Sequence, residues 1–323
     1  MSRKRLPPIP GVGRLPRLTD LPGPRRPLRR PSPGPGASPR RARAYRPADL
    51  VVLCYLALTG ALLIASPLSF EGKARYALLH FGLLLAVALL RYLPRPANRV
   101  LRFLRESYPL FGLPFLYDSL QLLNRLVTVR YFDDVISGAE QVVFGAQPSQ
   151  ILHTLLPSPA LSDFLHLSYL SYLALFPLVA VPIYIRRRTQ ALGAYVTTVM
   201  LTILFCYGIF IVIPVQGPFH FFGPLAPDRL PGTVAPLVHA LLHNASSVGT
   251  AFPSSHVAVS VCIWLVARRY VPRLSRGVLV IAAGILVGTV YGGFHYAIDA
   301  AAGLVVGTAF GLAGPRIHAL LQI

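Results

Sequence analysis

Pro253-Ser254-Ser255-His256 opens an apolar run ending at Ala267, and Gly292-Gly293-Phe294-His295-Tyr296-Ala297-Ile298-Asp299 closes the next one. Between the two histidines the chain turns through Arg268, Arg269, Arg273 and Arg276, then returns along residues 277–294. At a rise of about 1.5 Å per residue, each arm of this hairpin covers roughly 20–27 Å. Both histidines therefore return to one face of a membrane, at similar depth, opposite a basic turn.

The rest of the chain agrees with a membrane setting. Of 323 residues, 54% are hydrophobic and 13% charged, about half the charge of a soluble protein. The charge is also unevenly placed, since 13 of the 31 Lys+Arg precede Asp49. Residues 1–47 interleave these with prolines at 7, 8, 10, 16, 22, 24, 27, 31, 33, 35, 39 and 47. No helical or strand period survives that spacing, so the segment is predicted to be a disordered cytoplasmic tail. It has no apolar core of the kind a secretory signal needs. A net charge of +20 raises nucleic acid as a partner. The basic residues sit in the leader and in short loops between apolar runs, however, so anionic lipid headgroups are the expected partner and nucleic acid is not. Cys54, Cys206 and Cys262 fall singly inside apolar runs, which predicts neither a disulfide nor a zinc site.

Seven stretches are apolar enough to span: residues 50–67, 76–93, 161–185, 191–214, 256–267, 277–294 and 298–312. The leader, the Arg186-Arg187-Arg188 loop and the Arg268 to Arg276 loop are basic, whereas residues 215–255 carry only Arg229. The positive-inside rule places the basic segments in the cytoplasm and His295 on the outer face. Parity then asks for an eighth crossing, and residues 108–127 are the candidate despite Asp118, Asn124 and Arg125. Next, Asp133, Asp134 and Glu140 among Phe132, Val135, Ile136, Val142, Val143 and Phe144 suit an amphipathic helix lying on the surface. The expected fold is an all-α, polytopic transmembrane helix bundle of seven to eight spans. A membrane-embedded catalytic domain would cover residues 48–323, with its motif-bearing core at 160–312.

The chemistry follows from the helix ends. Ser254 and Ser255 read as a capped helix start, whose first N–H groups have no intrahelical partner and favour an anion such as phosphate. His256 sits in that first turn. His295 and Asp299 are four apart; on a helix beginning near His295 they share a face, and the carboxylate reaches one imidazole nitrogen. Such a bond fixes the tautomer and leaves the other nitrogen as a nucleophile. A carboxylate at a membrane span is costly and marks function. Residues Ile213-Pro214-Val215-Gln216-Gly217-Pro218-Phe219-His220 lie at the outer end of a span; Gly217 permits close backbone approach, and Gln216 or His220 can donate to phosphate. Arg229 could add charge. His80, His153, His166, His239, His243 and His318 show no partner pattern and read as interfacial or packed.

The pairing of Pro253-Ser254-Ser255-His256 with His295-x-x-x-Asp299 resembles the type 2 phosphatidic acid phosphatase superfamily, whose second motif reads Pro-Ser-Gly-His and whose third ends His-x-x-x-Asp. The string from Thr289 to Gly303 is similar to one branch, that of inositol phosphorylceramide synthase and the sphingomyelin synthases, where His-Tyr-x-x-Asp precedes a glycine four residues on. The resemblance covers chiefly residues 160–312. It implies a six-helix core. It also makes His295 a nucleophile that forms phosphohistidine, Asp299 its orienting group, and His256 the acid and base. Ser254 and the N–H groups of Ser255 and His256 would hold phosphate oxygens, and no metal or cofactor is expected. Two cationic clamps of the superfamily are absent: Ala88 stands seven before Arg95-Pro96 where its first motif has lysine, and Thr289 replaces the arginine six before the histidine. A phosphodiester needs less neutralisation than a phosphate monoester, so the expectation is a headgroup transferase acting on a phospholipid or sphingolipid, with a small alcohol as acceptor. A lipid phosphate phosphatase using water is the alternative reading, and a lipid transporter or scaffold retaining the fold is the non-enzymatic one. The expected location is a plasma or inner membrane, with the N-terminus cytoplasmic and the site extracytoplasmic.

Overall fold

A computed structural model describes residues 44–67, 73–94, 96–225, 230–245 and 247–322. The tail expected over residues 1–47 lies outside the described residues up to residue 43. Its last residues, from Ala44, run into the first helix, which Pro47 opens. Proline suits that position because its missing N–H would have had no helical partner.

The described residues form helices and no strands. In chain order they are α1 (Pro47–Ala65), α2 (Lys73–Leu89), α3 (Arg99–Phe111), α4 (Leu113–Asp118), α5 (Leu120–Leu123), α6 (Asp133–Phe144), α7 (Pro148–Leu155), α8 (Pro159–Leu170), α9 (Tyr172–Ile185), α10 (Thr189–Val212), α11 (Pro218–Phe221), α12 (Val234–Ala245), α13 (Ser255–Tyr270), α14 (Pro272–Tyr291) and α15 (Ala297–Leu320). Five of them are long and apolar enough to cross a membrane: α1, α2 with its terminal 3-10 turn, α10, α14 and α15. The pair α8 and α9, bent by 60°, makes six if counted as one broken span. Several such helices mark an integral membrane protein.

By length and composition the described residues give five or six candidate spans, and two of the stretches expected to span fall outside that set. Helix α13 is apolar but only 16 residues long, about 24 Å at the helical rise and short of the roughly 30 Å hydrocarbon thickness. Residues 108–127 do not form one crossing helix. Within the stretch, Gly112, with Pro114 in the turn that follows, parts α3 from α4, and Ser119 parts α4 from α5. Its leucines at 113, 116, 120, 123 and 126 are all buried in the main core, so the apolar face that suggested a span packs against protein.

Helix α13 sits among α9, α10, α14 and α15. In α10 the buried hydroxyls of Thr197, Thr198 and Thr202 donate to the carbonyls four residues earlier, which satisfies them within an apolar helix. Helix α15 approaches α13 through Gly303 and Gly307. A Cβ at Gly303 would lie 2.5 Å from the Ser254 carbonyl oxygen, and one at Gly307 would strike the Ala258 carbonyl. At the end opposite His256, Arg188 donates to the Tyr270 carbonyl at 3.3 Å, so the two basic loops lie side by side. His80 and His318 are packed and hydrogen bonded, to Leu56 and Thr59 and to Thr197 and Gln322. The three cysteines are unpaired.

Candidate active site

The start of α13 is capped as its sequence suggests: the Ser254 hydroxyl accepts from the Val257 N–H at 3.4 Å. The Ser254 N–H donates to the Asp299 carbonyl at 2.9 Å, tying this motif to the third. Ser254 is fully buried and its oxygen serves as the cap, whereas Ser255 lines the cavity in front of the helix. His256 projects into that cavity from the first turn. Its ring is stacked on Tyr169 at 4.7 Å and tilted against Tyr172 at 4.4 Å between centroids. These aromatics hold the imidazole in one orientation, and its Nδ1 has no hydrogen-bond partner.

His295 comes within reach from the other side, its ring centroid 5.8 Å from that of His256. It is buried, and its Nδ1 lies 3.0 Å from the Ala251 carbonyl oxygen. A carbonyl can only accept, so Nδ1 carries the proton and Nε2 is left as the free lone pair. The helical geometry expected for His295 and Asp299 is corrected here. Helix α15 begins at Ala297 with Tyr296 as N-cap, so His295 precedes it. The Asp299 carboxylate lies 3.6 Å from Nδ1, near enough to favour positive charge on the ring but beyond a good hydrogen bond. That carboxylate instead accepts from the Tyr296 N–H at 2.9 Å, capping its own helix, while its other oxygen is buried without a partner.

The stretch around Gln216 closes the site. Val215 pairs with Thr250 in an isolated parallel bridge, and the Ala251 N–H donates to the Val215 carbonyl at 2.9 Å. The same residue, Ala251, thus holds this loop by its N–H and His295 by its carbonyl. Gly217 has φ of +85°, and a Cβ there would meet Ala251 and the Phe294 carbonyl at 2.9 and 3.0 Å, so the loop requires glycine. Gln216 and His220 line the cavity; Gly217 stands behind them. Burial pushes the His220 imidazole below its ordinary range, which favours the neutral ring. Arg229 lies outside the described residues. The described cavity lining contains no lysine or arginine. Among the described residues no three metal-ligating side chains converge.

Two functional carboxylates escape sequence reasoning. Helix α6 is amphipathic as expected, and its acidic face is the one that meets protein. Val142 and Val143 are 87% and 66% exposed, while Asp133 and Glu140 are buried. Asp133 accepts from the N–H groups of Gln216 and Gly217, each at 2.9 Å, and from the Tyr296 hydroxyl at 3.2 Å. Glu140 accepts from the Ile298 N–H at 3.1 Å, in the first turn of α15. One acidic face therefore grips both the loop at Gln216 and the segment carrying His295 and Asp299. Burial raises both carboxyl groups above their ordinary range, opposed at each by the backbone donors. The available signal was spacing: Asp133 and Glu140 are seven apart and share a helix face, whereas Asp134 points out and pairs with Arg130 at 2.7 Å.

A family model described as the PAP2 superfamily matches residues 135–313, more than half of the chain. The chain belongs to the PAP2 superfamily. Members of the superfamily are typically phosphatases or phosphotransferases, so membership points to lipid phosphatase or phosphotransferase chemistry. The PAP2 match begins two residues into α6, after Asp133, and ends within α15. No curated protein and no solved structure matches the chain.

Proposed function

We propose that the chain transfers a phosphate-bearing headgroup from a phospholipid or sphingolipid to an alcohol, in the manner of an inositol phosphorylceramide synthase. The observation that carries this reading is the His295 imidazole, its Nδ1 occupied by the Ala251 carbonyl, facing the His256 ring at 5.8 Å across one cavity. The free Nε2 of His295 attacks phosphorus, and the bond to the lipid alkoxide breaks as His256 gives that oxygen a proton. His256 then takes a proton from the acceptor hydroxyl, which attacks phosphorus and breaks the N–P bond, restoring both rings. Asp299 favours the positive charge His295 acquires on attack. Ser255 and the first-turn N–H groups of α13, with Gln216 and His220, are placed to hold phosphate oxygens.

Lack of lysine and arginine in the described lining supports a phosphodiester over a monoester, because a monoester dianion demands more neutralisation. We place the site at the extracytoplasmic face of a plasma or inner membrane, since the basic loops lie side by side at the opposite end. The N-terminus is then cytoplasmic, and the basic leader adds attraction to anionic headgroups, about 1 kcal/mol for each residue near the surface.

The test is lipid mass spectrometry on membranes carrying the wild-type chain or His295→Ala. A new headgroup lipid should form with the wild type and fall by about 10³-fold or more in the variant. Release of free phosphate without a new lipid would make water the acceptor. Equal turnover in the two membranes would end the enzymatic reading.

A further inference from the structure

The cavity in front of the two histidines is far larger than a phosphate needs. Its volume is about 760 Å³, within the roughly 300–1,000 Å³ that holds a whole small ligand. One end is set by Tyr172, whose ring lies 4.4 Å from that of His256. The other end is set by Ala180 and by Phe103 of α3. Phe103 packs 5.1 Å from Tyr184, whose hydroxyl donates to the Arg99 carbonyl, at the end of α9 that runs into the basic loop. Tyr172, Phe176 and Ala180 recur every fourth residue along one face of α9, a run of about 12 Å at the helical rise.

Polarity is graded along that run. Gln216, His220, Ser247 and Thr250 line the histidine end, where the Tyr117 hydroxyl meets Thr250 at 3.2 Å, and the carboxylate of Asp118 borders the cavity next to Tyr117. Toward Ala180 the lining is hydrocarbon and aromatic. Ser107 is the exception, and its hydroxyl is spent on the Phe103 carbonyl. The side is open, because Phe111 of α3 and Leu173 of α9 both line the cavity and are 57% and 65% exposed. Apolar residues exposed between helices of a membrane bundle face lipid. Helices α3 and α4, which form this wall, lie outside the residues matched to the PAP2 superfamily.

We infer that this cavity binds one hydrocarbon tail of the lipid substrate, admitted sideways between α3 and α9, with Ala180 and Ser107 at the deep end limiting tail length. The inference rests on the proposed lipid reaction and adds the chemical class and position of the tail. A phosphate held between the histidines leaves its tail beside Tyr172, aligned with the apolar run. A soluble phosphate ester would leave that run unfilled.

Two measurements on the full chain test it. The first is kcat/KM for phosphatidylinositols and phosphatidic acids with hexanoyl, decanoyl or hexadecanoyl tails in detergent micelles. Ala180→Phe, and independently Ser107→Leu, should lower the ratio of long-tail to short-tail kcat/KM by about tenfold, the factor that follows from leaving two methylene groups unburied. A wild-type ratio in both variants overturns the inference. The second uses hexadecanoyl phosphatidylinositol with a diazirine at the tail end, in nanodiscs, on wild type and on His295→Ala. Label should map to residues 103–111 and 173–180 in both proteins. Label elsewhere, with turnover intact, overturns the tail site and spares the reaction. Label at these residues with no turnover in the wild type supports the tail site and defeats the reaction.

Discussion

Helices α6 and α15 reach the same site from different sides, and each buries carboxylates there with nearly opposite consequences. On α15, Asp299 holds its charge 3.6 Å from the His295 ring and keeps one oxygen unpartnered. On α6, Asp133 and Glu140 touch no catalytic imidazole and spend themselves on backbone N–H groups of Gln216, Gly217 and Ile298. A buried carboxylate is costly wherever it lies, so both helices offset that cost with donors. The difference is what each faces: Oδ2 of Asp299 lies beside the His295 ring and acts on its charge, whereas Asp133 and Glu140 face backbone N–H groups and act on position. In the proposed reaction the site is thus divided between one acid for chemistry, Asp299, and two for architecture, Asp133 and Glu140.

The sharpest way to break that division is Asp299→Asn. Asparagine can still accept from the Tyr296 N–H and cap α15, but it removes the charge that favours a positive His295. We expect kcat to fall by about 10²–10⁴-fold, with KM and thermal stability little changed, measured by lipid turnover and by melting in detergent. A loss in stability matching the loss in rate would show that Asp299, too, is architectural.

Asp133→Asn should do less, and differently. Asparagine offers one acceptor oxygen where the carboxylate serves Gln216 on one side and Gly217 and Tyr296 on the other. One buried N–H is then left facing an amide N–H, at a cost of about 1–3 kcal/mol. Because the Gln216 loop moves while the histidines stay, a rise in KM of about 10–100-fold with a smaller change in kcat is expected. A fall in kcat alone, with KM unchanged, would place Asp133 in the chemistry and dissolve the contrast with Asp299.

The two acid sets differ as much in legibility as in role. His256, His295 and Asp299 could be read together because His256 opens α13 and His295 follows α14, the two arms of one hairpin, so the histidines return to the same end. The partner of His295 could not, because the Ala251 carbonyl is backbone and leaves no trace in side-chain identity. On α6 the amphipathic pattern was plain, but a pattern does not say which face meets protein. In water the acidic face turns outward; here Val142 and Val143 face out and the acids turn in. Residues 113–126 misled in the same way, since leucines that pack into the protein core have the hydropathy of leucines in lipid. Apolar periodicity identifies a face and is silent on its neighbour. Where both solvent and protein interior are apolar, that silence costs most.

Glu140 gives the smallest effect and the cleanest sign. Its Oε1 accepts from the Ile298 N–H, and its Oε2 is buried with no partner. Burial raises its folded-state value above the ordinary 4.5 of a glutamate. Between that ordinary value and the raised one, the folded chain binds a proton that the unfolded chain has released. Stability attributable to Glu140 therefore grows as pH falls through the folded value and is lost as pH rises through it. Glu140→Gln keeps an acceptor for Ile298 and cannot titrate. Near pH 7 the variant should match or modestly exceed the wild type in melting temperature, because it removes a buried charge. As pH is lowered toward 4.5 the wild type should gain on the variant, the difference being read from paired melts in one detergent. Parallel pH profiles for the two proteins would mean that Glu140 is protonated, or solvated, throughout. The α6 grip on α15 would then rest on a neutral hydrogen bond, and the division of labour between the two helices would involve charge at Asp133 and Asp299 only.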